Sequence, residues 1–126
     1  FRVDVVDPSH LLTKDLPESF ETVDEPYMVE IQHPSDTKLL LTAELGPDNS
    51  PPGSGFEYEE DTALQPDGKT RVLGFTRNFG KGGVTYIALG HRSAPGRNQP
   101  SAVLSTTWES DAHTQLLRNA IAWGVA

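Results

Sequence analysis

The apolar residues of this chain come in short bursts divided by turn chemistry, and the period of the bursts changes along its length. In residues 1–6, Val3 and Val5 share one face and Arg2 and Asp4 the other, the alternation of a half-buried strand. Asp7-Pro8-Ser9 breaks it, and 10–15 reads as one helical turn closed by Leu16-Pro17. Residues 20–31 mix apolar and acidic positions. There, 22–23 and 28–31 read as extended, and Asp24-Glu25 falls on a bend because Pro26 disfavours α geometry at Glu25. Residues 38–45 form a strand whose Leu39-Leu40-Leu41 run lacks alternation, as expected where both faces are covered. Residues 71–79 and 84–89 read as two strands joined by Gly80-Lys81-Gly82-Gly83, a link so short that only an antiparallel hairpin fits. The closing stretch 110–123 has helical spacing: Leu116, Ala120 and Trp123 on one face, with Leu117 and Ile121 beside them. Ser110 caps this helix, Asp111 suits its positive end and Gly124 its stop.

Two long loops, 46–70 and 92–107, interrupt these elements. Loops beyond ~12–15 residues are usually lids, binding loops or disordered segments, so 46–70 is expected to be mobile or to cover a site. The 126 residues read as one domain or part of one, loop-rich with ten prolines and eleven glycines. The net charge of -8 argues against a nucleic-acid partner, which needs a basic face, and disfavours an anionic membrane surface. A neutral substrate such as a sugar suits it. The absence of cysteine excludes disulfides, thiolate nucleophiles and Cys-type zinc sites, and leaves the compartment open between cytoplasm and secretion. No apolar run approaches the ~18 residues of a membrane span. The start at Phe1, without methionine or leader, reads as a cut from a longer chain.

Candidate chemistry begins with His91, placed after Gly90 at a strand's carboxyl end, where open α/β sheets hold ligands. There it can serve as general base or metal ligand, or anchor the next loop. Asp24, Glu25 and Tyr27 follow. Adjacent carboxylates suit acid–base work, and the competing interpretation is a solvated acidic turn. His10, near Asp7, is a third candidate against a plain surface turn. Arg92, Arg97, Asn98, Gln99 and Trp108 offer planar donors and an aromatic face to a sugar, though Trp108 can equally plug the helix start against the sheet. No His-x-x-x-His spacing supports a metal, so no cofactor is expected, with a divalent metal the alternative. The glycines 80, 82 and 83 precede a strand rather than a helix, which argues against a phosphate loop. His113 reads as a surface residue and His33 as a loop residue.

Three stretches carry a family resemblance: Asp24-Glu25-Pro26-Tyr27, the run Gly80-Lys81-Gly82-Gly83-Val84-Thr85-Tyr86-Ile87-Ala88-Leu89-Gly90-His91, and Asn119-Ala120-Ile121-Ala122-Trp123. With them the chain resembles the trehalose-utilisation (ThuA-like) family, related to class I glutamine amidotransferases. Only the second half of that domain is matched. The resemblance implies an α/β fold with a flavodoxin-like mixed sheet lacking its first βαβ units and ending in a hairpin and helix. It further implies acid–base chemistry on a disaccharide such as trehalose or a keto-sugar derivative, as a hydrolase, lyase or isomerase. His91, Glu25, Asp24 and Tyr27 would be catalytic; His10, Arg92 and Trp108 would bind substrate. The family's proline after the histidine is missing at Leu11, which puts the geometry of His10 in doubt, and without cysteine the amidotransferase reaction is excluded. The expected partners are a small carbohydrate and either a second copy or a missing N-terminal half. The rival expectation is a non-catalytic carbohydrate-binding or scaffold domain of a larger protein.

Overall fold

A computed structural model describes residues 1–47, 61–91 and 106–124. It holds five strands: β1 (Arg2–Val5), β2 (Ser19–Glu21), β3 (Thr37–Glu44), β4 (Thr70–Phe79) and β5 (Gly82–Ile87). One helix, α1 (Asp111–Gly124), comes last. Single 3-10 turns occupy Leu11–Thr13, Pro34–Asp36 and Thr106–Glu109. The chain is thus a sheet-plus-helix α/β domain, as expected.

The sheet has the order β2-β1-β3-β4-β5, and every pairing in it is antiparallel. This corrects the expectation of a mixed sheet. A parallel pair needs a long crossover, usually a helix. The one α-helix of the described residues follows all the strands, so none lies between two strands to serve as that crossover.

The apolar run in β3 also behaves differently from expectation. Its register against β4 shifts between Leu39 and Leu41 and again between Leu41 and Thr42. Such bulges break the alternation of side chains. Leu40 and Leu41, adjacent in sequence, therefore both enter one core cluster, with Val3, Leu12, Leu73, Ala88 and Leu116. Gly74 of β4 is small for the same reason: a Cβ there would stand 3.1 Å from Leu41.

The helix docks by two devices. Leu116 is buried, and Ala120 and Trp123 pack against the core. Asn119 donates through Nδ2 to the carbonyls of Leu12 and Lys14, at 3.1 and 2.7 Å, which ties the helix to the turn after β1. Ser110 caps the start as expected: its Oγ accepts from His113 N at 3.4 Å and its carbonyl from Thr114 N at 3.0 Å. Two positions depart from the pattern. Ile121 is 71% exposed, and His113, which reads as a surface residue, is 1% exposed. His113 lies on the same stripe as Leu116 and Ala120, three and seven residues away, so helical geometry turns it inward.

Of the long loop 46–70, for which a mobile or covering role is expected, residues 48–60 lie outside the described residues. Residues 61–70 fold back on β4 through the bridge Leu64–Arg71, and Asp67 Oδ1 accepts from the amides of Lys69 and Thr70. Arg71 is buried at 1% exposure; its guanidinium holds the carboxylate of Asp61 with two nitrogens and the carbonyl of Gly46 at 2.8 Å. No helix of the described residues is long and apolar enough to cross a membrane.

Candidate functional site

Residues 22–31, where 22–23 and 28–31 read as extended, pair into no strand. They run as irregular chain beside the end of β5, pinned at several points. Thr22 Oγ1 meets Thr107 Oγ1 at 2.5 Å in a buried contact. Tyr86 of β5 stacks on its cross-strand partner Phe75 with centroids 5.3 Å apart, and its hydroxyl donates to the carbonyl of Tyr27 at 3.4 Å. Burial, with the nearby Tyr27 adding to it, pushes the Tyr86 hydroxyl above its ordinary value, so it stays a donor.

This placement brings Asp24, Glu25 and Tyr27 to His91. Asp24 Oδ2 accepts from Gly90 N at 2.7 Å, and Oδ1 accepts from His91 N at 3.2 Å and from Glu25 N at 2.8 Å. The Tyr27 hydroxyl lies 3.0 Å from His91 Nδ1, with the rings tilted at 48°. Glu25 Oε2 lies 3.5 Å from His91 Nε2. Both ring nitrogens therefore face a polar group. A neutral imidazole has one donor and one acceptor nitrogen, and an imidazolium has two donors. Either form finds a match between a hydroxyl, which gives or accepts, and a carboxylate, which accepts.

His91 owes its position to a different cause from the expected one. The crevice at the carboxyl ends of strands belongs to parallel sheets, and this sheet is antiparallel. His91 is placed instead by the left-handed turn at Gly90, with φ +102°, and by the carboxylate of Asp24 across the gap.

Trp108, expected to bind substrate or to plug the helix start, serves the turn. Its indole nitrogen donates to Gly90 O at 2.9 Å, and its ring meets His113 edge-on at 5.1 Å. Half of its surface remains exposed. His113 lies behind Gly90, where burial lowers its pKa and the charge of Asp24 partly opposes that. Its Nδ1 is buried without a hydrogen-bond partner among the described residues. The helical stripe is the signal for His113 in the sequence. The Trp108 bond to Gly90 has no local signal at all.

His10 does not join the cluster. Its Nδ1 accepts from Leu12 N at 3.1 Å, capping the 3-10 turn, and burial and Lys38 lower its pKa. Asp7 beside it is engaged by Lys38 at 2.7 Å and by Ser9, and those bonds hold its pKa at about 2. That is the chemistry of a surface turn. Arg92, with Arg97, Asn98 and Gln99, lies outside the described residues. Among the described residues no cluster of three or more His, Asp or Glu is placed to hold a metal ion.

The site is open: the side chain of Glu25 is 79% exposed and that of His91 24%. An exposed ion pair adds about 0–1 kcal/mol to stability, so the Glu25–His91 contact contributes little to holding the fold. In comparisons with known proteins, no family model matches the chain, and no curated protein or solved structure matches it significantly.

Proposed function

We propose that this chain is a ThuA-like domain of carbohydrate metabolism that performs acid–base chemistry on a disaccharide, such as trehalose, or on a keto-sugar derivative. One observation carries the proposal: Tyr27 and Glu25 face the two ring nitrogens of a histidine more than sixty residues away. The sugar class comes from the motif resemblance. So does the flavodoxin-like, class I amidotransferase-like parentage, because the antiparallel strand order lends it no support.

His91 is the base. When a proton leaves a sugar hydroxyl, or a carbon beside a keto group, it goes to the Tyr27 oxygen as Tyr27 passes its own proton to Nδ1, and the ring becomes an imidazolium with an N–H on each side. The Glu25 carboxylate facing Nε2–H offsets the new charge, and the Tyr27 oxygen then accepts from Nδ1–H and fixes the ring plane. General acid–base groups of this kind contribute typically ~10²–10⁴-fold to a rate.

A second reading is a non-catalytic carbohydrate-binding domain, and the openness of the cluster favours it: Tyr27 is 60% exposed, an aromatic face offered to solvent. One experiment separates the two. The chain is given trehalose and its keto derivative, and turnover and binding are measured for wild type, H91A and E25Q. The acid–base proposal expects H91A to lose turnover by roughly 10²-fold or more while folding normally. Binding without turnover in the wild type supports the second reading, and unchanged turnover in folded H91A overturns the first.

A further inference from the structure

We infer that Asp24 and Trp108 are positioning residues that lock the Gly90–His91 turn, and that Asp24 sets the spacing between His91 and Glu25. This deepens the acid–base proposal and rests on it for the importance of that spacing.

The peptide of Gly90 is held from three sides. Its N–H goes to Asp24 Oδ2 at 2.7 Å, and its carbonyl accepts from the Trp108 indole at 2.9 Å. Its α-carbon lies against both rings of the Trp108–His113 pair: a Cβ there would stand 3.3 Å from Trp108 and 3.5 Å from His113. With φ at +102°, this is backbone that side-chain-bearing residues rarely adopt. The turn is thus defined by its partners as well as by its own freedom.

Asp24 does more than hold one amide. A single oxygen, Oδ1, accepts from the backbone N–H of Glu25 and from that of His91. The two residues proposed to exchange and balance the proton are therefore tied through one atom, although more than sixty positions separate them in the chain. The three N–H donors use Asp24 as an acceptor, which is what an ionised carboxyl offers. That role differs from the acid or base assigned to it by the resemblance. Trp108 likewise spends its one polar group on Gly90, so a sugar finds no indole donor there.

The test reads the coupling between Tyr27 and His91, which needs no substrate. Side-chain nitrogen NMR at fixed pH reads the Nδ1 and Nε2 chemical shifts of His91 in the wild type, in Y27F, and in both within D24N and W108F backgrounds. The locked turn predicts that Y27F moves the Nδ1 chemical shift of His91 in the wild type. It also predicts that this change shrinks by about half or more in D24N and in W108F. A residue that merely stabilises the fold would lower the melting temperature and leave the coupling as it was. If D24N does not fold, W108F tests the same lock from the carbonyl side, since phenylalanine keeps a ring there and removes the donor. An undiminished coupling in a folded variant overturns the inference, as does a wild-type His91 that is insensitive to Y27F. Failure of the sugar assay with the coupling intact would instead reject the proposed chemistry and leave the lock standing.

Discussion

Gly90 is the residue on which the candidate site turns, and in the sequence it is visible only as the second-to-last letter of a motif. Its need to be glycine comes from two sources that sequence does not display: a positive φ and the rings of Trp108 and His113 behind it. G90A is expected to destabilise the chain by about 1–3 kcal/mol, the usual size of a strained backbone state. The loss is read from chemical unfolding, and a G90A variant as stable as the wild type would show that the turn is not strained by a side chain. Some residue roles are legible. The choice of His91, Asp24, Glu25 and Tyr27 as neighbours follows from motif words, and these four do meet. Others are not. His10 looks like a ligand until Leu12 N is seen to occupy it, and a backbone partner two residues away leaves no mark in composition.

Among the elements, β1, β4 and the helix are readable by period and β3 by its apolar run, whereas the three residues of β2 are too few to show a period. The hairpin of β4 and β5 is readable because the four-residue link Gly80–Gly83 is too short for a parallel crossover, and the structure shortens it to Gly80 and Lys81. Strand order is not, because β1 pairs with both β2 and β3, and nothing in a short strand names its neighbours. The bulged register of β3 is equally hidden: three leucines in a row look the same whether two faces are covered or one strand is kinked. Helix docking depends on a polar residue that the apolar stripe passes over. N119A would leave the carbonyls of Leu12 and Lys14 without their donor, and a cost of about 1–3 kcal/mol is expected. Thermal melts of N119A beside N119D would check this, since Asn119 acts here as a donor. A loss of under a few tenths would mean that the stripe Leu116–Ala120–Trp123 docks the helix unaided.

At the scale of the whole molecule, acid sensitivity follows from two histidines. The folded state holds the pKa of His113 and His10 below the ordinary 6.5. The unfolded chain therefore binds protons that the native chain refuses once pH falls below about 6.5, and stability drops as pH falls through that region. Asp7 acts in a separate window. Its folded pKa is about 2 against an ordinary 3.8, so its contribution is present above 3.8 and is lost as pH falls towards 2. Melting temperatures between about pH 7.5 and 4.5 should fall less steeply for H113Q than for the wild type. Parallel slopes would show that His113 does not set the acid limit. Long-range contact also explains why local pattern marks the candidate residues but not their meeting. Asp24 and Gly90 are 66 positions apart, and only the fold makes them partners.

Arg71 ties the sheet to the excursion that leaves it. One guanidinium grips Gly46 on the way out of the sheet and Asp61 on the way back, a clasp made without a covalent bond. Both ends of the intervening stretch are delivered to fixed points, and the entropy of closing a loop rises by only ~0.6 kcal/mol for each doubling of its length. A longer link between the same two anchors therefore costs the sheet little. A reporter, an epitope or a whole guest domain could be spliced there, or the backbone opened to make new termini, and the two halves would still be drawn to the same buckle.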